Sequence, residues 1–262
     1  MSIKTVSAKK TVFGNGDYSR IITLKPASAE ALFQEARQAV GYDPSAVEWR
    51  IDYFNPMVDG DFSTRIIVQA LEELSKILDD IPLILTFRKK CEAYDPNLRF
   101  HSDKMRRRTI GACVKTGLVD VVDVEIGMDK AFMADVFSWA RENGTSVMLS
   151  YHKYDKAPET QEEIYDKLLE GEKLGADIVR CAYMAWFNQD VIRIGRAARE
   201  AKKVLTIPMC CYAMGDVGSI SRILGDRYGS DMCFFSLNGS DGGVDERIGE
   251  YKKMREALGA KY

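Results

Sequence analysis

The sequence predicts an α/β chain that closes into a (β/α)8 TIM barrel, and three observations predict it. Short apolar runs alternate with longer amphipathic stretches from end to end. Eight of the short runs can be found, each followed by a helical segment, the pattern of a parallel sheet wound by crossover helices. The length of 262 residues suits eight such units, and 46% hydrophobic residues are enough for a large core. No Gly/Ser-rich linker, composition break or internal repeat divides the chain. Residues 1–262 are therefore read as one barrel domain.

The units follow in order. Strand Ile21–Leu24 leads to helix Ala29–Val40, and Val47–Asp52 to Thr64–Leu78. Leu83–Arg88 precedes Asp103–Lys115, and Val121–Glu125 precedes Lys130–Asn143. Val147–His152 is followed by Thr160–Leu174, and Ile178–Tyr183 by Asn188–Ala201. The seventh strand is placed at Leu205–Cys210, before Ser219–Leu224, and the eighth at Met232–Leu237, before Val244–Leu258.

Composition excludes several classes. Thirty-seven basic and 39 acidic residues give a net charge of −2, which does not suit a basic nucleic-acid binder. Arg106, Arg107 and Arg108 are placed on a solvated helix face. No apolar run is long enough to span a membrane, and the N-terminus lacks the apolar core of a signal peptide, so a cytoplasmic protein is expected. The six cysteines have no CxxC spacing and only two histidines are present, so no zinc cluster is expected and the thiols are read as buried and free. Gly14–Gly16 and Gly239–Gly243 match no nucleotide-binding motif. No cofactor is called for.

The informative residues are polar ones at core positions. Alternate side chains of a barrel strand point inward. Glu48, Arg50 and Asp52 share one face of the second strand, while Val47, Trp49 and Ile51 share the other. Arg88 ends the third strand, Asp123 and Glu125 share a face of the fourth, Ser150 and His152 of the fifth, and Arg180 sits within the sixth. Unpaired buried charge costs several kcal/mol, so this ring must be internally paired or must meet a ligand. Arg88, Glu125, His152 and Arg180 fall late in their strands, at the mouth where barrel active sites lie. Converging arginines suit a small anionic substrate, and a histidine beside carboxylates suits acid–base work. A salt-bridge lattice that merely closes the barrel is the competing reading. In it Glu48 and Asp52 pair Arg50, and Arg88 pairs Glu48 or Glu92. His101 is expected to be inert in a polar loop, Asp123 and Glu125 to support rather than react, and Trp49, Trp139 and Trp186 to be core or rim.

These residues, in order, resemble the type I 3-dehydroquinate dehydratase family of the shikimate pathway, a class I aldolase-like barrel. The resemblance covers nearly the whole chain. Glu48-Trp49-Arg50-Ile51-Asp52 is similar to the family's E-W-R-x-D strand, and Thr86-Phe87-Arg88 with Glu92 to its T-F-R…E-G-G segment. Ser150-Tyr151-His152, with Lys156-Ala157-Pro158-Glu159, resembles S-x-H…K-T-P-E. The stretch from Ala213-Met214-Gly215 to Ser221-Arg222 resembles A-M-G-x-x-G-x-x-S-R. Residues 4–16 resemble the N-terminal hairpin that closes the barrel bottom. The resemblance implies elimination of water from a cyclic hydroxy-keto acid. It implies that Arg222 grips the carboxylate, that Glu48, Arg50 and Arg88 hold hydroxyls, and that His152, oriented by Glu92, is the acid–base. It also implies a homodimer.

Three departures accompany the matches. The family's Schiff-base lysine is here Arg180, which stays protonated at cellular pH and cannot form an imine. Rescue by Lys153 or Lys156 would have to come from another strand or loop. The E-G-G turn reads Glu92-Ala93-Tyr94, and the S-A-P-G-Q lid is replaced by 238–245, with Ser240 and Asp245 the residues there expected to meet substrate. The expectation is a lyase in which His152 moves the proton and Arg180 stabilises an enolate. Two alternatives stay open: an inactive ligand-binding barrel, and a metal-dependent lyase or epimerase using Glu48, Asp123, Glu125 and His152.

Overall fold

The apolar runs pair as one parallel sheet. The computed structural model describes residues 4–58, 61–89, 101–237 and 248–259. A hairpin of β1 (Val6–Ala8) and β2 (Thr11–Phe13) comes first, followed by β3 (Ser19–Leu24), α1 (Ala29–Val40) and β4 (Ala46–Arg50). A small antiparallel pair, β5 (Met57–Val58) and β6 (Asp61–Phe62), precedes α2 (Thr64–Leu78). The chain continues through β7 (Leu83–Thr86), α3 (Asp103–Val114), β8 (Val121–Glu125), α4 (Lys130–Asn143), β9 (Ser146–Lys153) and α5 (Gln161–Lys173). It ends with β10 (Ile178–Met184), α6 (Asn188–Lys202), β11 (Met209–Met214), α7 (Ile220–Ile223), β12 (Met232–Ser236) and α8 (Ile248–Ala257). The eight-stranded sheet has the order β11-β10-β9-β8-β7-β4-β3-β12, so successive βα units lie side by side, as the barrel reading requires.

Local chemistry starts the helices where the sequence places them. Ser28, Ser102 and Thr160 accept hydrogen bonds from the first-turn amides of α1, α3 and α5, and Asp129 does so twice for α4. Outward strand residues such as Val47, Trp49, Val122 and Val179 join the helix faces in the main core. Inside the barrel the lower inward residues form an apolar floor that includes Ile21, Ala46, Ile84, Val121, Met148 and Ile178. Val6, Ala8 and Phe13 of the hairpin pack on this floor, which is the closure the resemblance implies.

The barrel is nearly closed. Among the described residues β11 and β12 share no strand ladder, and one backbone bond with several side-chain bonds stitches that seam instead. The Asp231 amide donates to the Met209 carbonyl at 2.8 Å, and the Met209 amide donates to the Asp231 carboxylate at 2.7 Å. The Ser230 hydroxyl accepts from the Cys211 amide and donates to the Cys211 carbonyl, both at 2.9 Å. Ser230→Ala strands both groups, so it is expected to destabilise by about 1–3 kcal/mol. Urea unfolding reads the loss, and a change inside experimental error would mean the seam is held elsewhere.

Four expectations need correction. The seventh strand is Met209–Met214, not Leu205–Cys210, because Pro208 has no amide hydrogen to donate to a ladder. The second strand stops at Arg50, and Ile51–Tyr53 form a 3₁₀ turn. The third stops at Thr86, so Arg88 lies beyond the ladder. Arg106 is wholly buried, while Arg107 and Arg108 are exposed as expected. Its guanidinium donates to the Phe87 carbonyl at 2.8 and 2.9 Å, to Asp103, and to Glu125. Five cysteines, Cys113, Cys181, Cys210, Cys211 and Cys233, are buried and free. No helix among the described residues is long and apolar enough to cross a membrane.

Candidate functional site

Above the apolar floor the next inward position is polar on every strand but the last. Thr23, Glu48, Thr86 and Asp123 occupy it on the first four, then Ser150, Arg180 and Tyr212, with Phe234 on β12. Arg180 stands at the hub. Its Nη1 donates to Glu48 at 2.9 Å and to Asp123 at 3.2 Å, and its Nη2 donates to the Tyr212 hydroxyl at 3.1 Å. The guanidinium carbon lies 3.4 Å from the Phe234 ring centroid. Arginine carries five N–H donors, and among the described residues its Nε meets no acceptor.

Glu48 is held from three directions. Besides Arg180, the hydroxyls of Thr23 and Thr86 donate to its two oxygens at 2.7 Å each. Burial raises its pKa, but Arg180, Arg50 and Arg88 outweigh burial and hold it near about 2. Asp123 moves the other way. Burial pushes it up, Arg88 and Arg180 oppose the rise, and the neighbouring charge of Glu48 adds to it. The two carboxylates flank the same guanidinium, and their pKa values move in opposite directions.

Higher in the barrel, Arg50 and Asp52 form a bidentate pair at 2.9 and 2.6 Å. Asp52 reaches Arg50 from the 3₁₀ turn, not along a shared strand face as expected. Arg88 pairs with Asp123 at 3.4 Å rather than with Glu48, and its amide donates to Asp52 at 3.3 Å. Glu125 turns toward Arg106 and the Lys89 amide, which is the supporting role expected of it.

His152 is buried one inward step above Ser150 on β9, opposite Ala182 of β10. Its ring stacks on Tyr154 with centroids 6.1 Å apart. Burial first, then the charges of Arg88, Arg180, Arg50 and Lys25, push its pKa well below the ordinary value. The imidazole is therefore held in its neutral form. Lys25 went unremarked in the sequence, although the parity of Ile21 and Thr23 points it inward. Its ammonium lies 5.3 Å from the Tyr53 ring centroid.

Arg222 comes from a tight turn after β11. Gly215 adopts φ 84°, and a Cβ on Gly218 would sit 2.5 Å from the Ala213 carbonyl oxygen, so both positions need glycine. The Ser221 hydroxyl ties the turn down by accepting from the Ala213 amide at 2.9 Å. The Arg222 guanidinium then stacks over the Tyr212 ring at 4.7 Å. Tyr212 is a second residue that sequence reasoning missed. Its signal was Pro208, which moves the strand and brings Tyr212 inward.

Glu92, Tyr94, Ser240 and Asp245 lie outside the described residues. The two lysines considered as substitutes point elsewhere: Lys153 pairs with Glu163, and Lys156 with Glu159 at 2.8 Å. Among the described residues no three histidine, cysteine or carboxylate side chains converge as a metal site. Glu48, Asp123 and Glu125 are each spent on a guanidinium. His101 packs on Phe62 and Phe87 with centroids 5.2 and 5.0 Å away. Trp49 is core, Trp139 is half-buried, and Trp186 is exposed at the rim.

A (β/α)8 barrel with an arginine–carboxylate ring and a buried histidine at the C-terminal ends of its strands has the architecture of a barrel enzyme. Residues 21–261 match the type I 3-dehydroquinase family model, and the chain belongs to that family. The 3-dehydroquinate dehydratase of Geobacillus thermodenitrificans (strain NG80-2) is 34% identical over 206 residues, covering 79% of this chain and 77% of that one. The crystal structure of the Geobacillus kaustophilus 3-dehydroquinate dehydratase superposes with a TM-score of 0.89 at 26% identity, covering 98% and 97% of the two chains. The type I enzyme of Clostridium difficile, solved with covalently modified comenic acid, gives 0.88 at 26% identity and 98% of each chain.

Proposed function

We propose that this protein is a dehydratase-like lyase. It eliminates water from a cyclic hydroxy-keto carboxylate of the 3-dehydroquinate kind, without an imine. The observation that carries this reading is Arg180. It is a permanent cation fixed by Glu48, Asp123 and Tyr212, with an N–H to spare, where the family resemblance puts the reactive lysine. His152 removes the proton next to the ketone, and the electron pair moves onto the carbonyl oxygen, where Arg180 stabilises the enolate. Collapse of the enolate expels the β-hydroxyl, which takes the proton from His152 and leaves as water. Arg222 binds the carboxylate, Arg50, Arg88 and Glu48 address the hydroxyls, and Glu92, Ser240 and Asp245 complete the roles the resemblance implies. A homodimer is inferred from the family relation, and sedimentation reads it directly.

Incubation with 3-dehydroquinate, followed by the absorbance of the conjugated enone product, tests the reading. Turnover is expected, and borohydride added with substrate is expected neither to inhibit nor to leave a mass adduct. A reduced covalent adduct would overturn the imine-free route. A specific observation also supports an inactive binding barrel, since Arg180 is already ion-paired with both Glu48 and Asp123. Calorimetric binding of 3-dehydroquinate without its consumption would select that reading. The metal-dependent reading has no such support, because its carboxylates are bound to arginines.

A further inference from the structure

We infer that Tyr212 is a further site residue, donating its phenol hydrogen to the same substrate carbonyl oxygen that Arg180 stabilises. The inference rests on the lyase reading above and adds a second donor to it. Tyr212 lies on the inward face of β11, with its backbone opposite Ala182 of β10. Its oxygen accepts from Arg180 Nη2 at 3.1 Å, so its own hydrogen must point away from Arg180. The Arg222 guanidinium covers the ring face at 4.7 Å, which fixes the phenol between the two arginines.

The chemistry of the group fits the role. Burial pushes the phenol up to about 12, against the lowering effect of Arg180 and Arg222, so it is a neutral donor throughout the working pH range. Glu48 and Asp123 can only accept where they are ionised, whereas a phenol donates. A donor that is itself bonded to a guanidinium is a stronger donor, because the cation withdraws density from its oxygen. In the step, the C–H bond breaks toward His152 and its electron pair becomes the enolate. Tyr212 keeps its proton and shares it with the enolate oxygen until the hydroxyl leaves. Removing one such preorganised donor typically lowers turnover about 100- to 1,000-fold.

Tyr212→Phe keeps the ring under Arg222 and deletes only the hydroxyl. Two readouts are used. The first is kcat and KM on 3-dehydroquinate, where kcat is expected to fall about 100-fold with KM nearly unchanged. The second uses His152→Ala, which holds the ketone unreacted, and the ¹³C NMR shift of 3-dehydroquinate labelled at its carbonyl carbon. A downfield shift in the complex is expected, and it should diminish in His152→Ala/Tyr212→Phe. Wild-type turnover with unaltered kcat and carbonyl shift in the phenylalanine variants would overturn the Tyr212 assignment and leave the lyase reading standing. A Tyr212-dependent shift without wild-type turnover would support the assignment and remove the lyase reading. Failure of 3-dehydroquinate to bind would overturn both.

Discussion

Arg180→Met is expected to destabilise the fold by about 3–5 kcal/mol, since it removes the cation from two carboxylates that it leaves in place. Glu48 and Asp123 are 0% and 1% exposed, so neither can turn to water when Arg180 goes. Asp123 keeps Arg88 at 3.4 Å and Glu48 keeps the hydroxyls of Thr23 and Thr86, but the two acids lose the cation between them. One of them would take up a proton, and stability would become pH-dependent in the sense that it improves as pH falls. Guanidinium unfolding at pH 5 and pH 8 reads both effects. Glu48→Gln in the same chain should recover part of the loss, and the double-mutant cycle isolates the coupling. A loss below about 1 kcal/mol at pH 8 would show that the ring is hydrated and that its charges are not mutually dependent. Arg180→Lys keeps a charge but not the fork that reaches Glu48, Asp123 and Tyr212 together, so an intermediate loss is expected. It also sets an amine where the family resemblance expects one. Dehydroquinate turnover gained with a borohydride-trapped adduct would mean the rest of the site fits that substrate.

His152→Ala is expected to lower kcat/KM on 3-dehydroquinate by about 10²- to 10⁴-fold, the usual contribution of a positioned acid–base group. Retention of wild-type activity would remove His152 from the chemistry. The same residue predicts a pH effect on the free protein. Its folded pKa lies well below the unfolded value, because burial and the charges of Arg88, Arg180, Arg50 and Lys25 all disfavour the imidazolium. The unfolded chain therefore binds the proton more readily. The stability this represents is complete above an unfolded pKa of about 6.5 and is lost as pH falls from there toward the folded value. Imidazole NMR should show a neutral ring at pH 6 in the free protein. An anionic ligand in the cavity offsets the arginine charges, so its binding should move that titration upward. A ring already protonated at pH 6 without ligand would contradict the electrostatics described above.

The architecture is readable from the chain alone, because burial on two faces writes each barrel strand as a short apolar run and each helix as a longer amphipathic one. Seven of the eight strands were legible in this way, and inward parity showed that Glu48, Arg180 and His152 share the cavity. The pairing emerges only once the barrel has closed. Arg180 lies 132 residues from Glu48 in sequence, yet bonds to it at 2.9 Å, and no local pattern encodes which acid meets which base around a closed sheet. The same closure buries Arg106 against the Phe87 carbonyl and Glu125, although its flanking Arg107 and Arg108 are exposed. It also brings Tyr212 inward once Pro208 has delayed the seventh strand. Charge in a low-dielectric interior is tolerated only in specific partnerships, and those form between strands that the chain visits far apart.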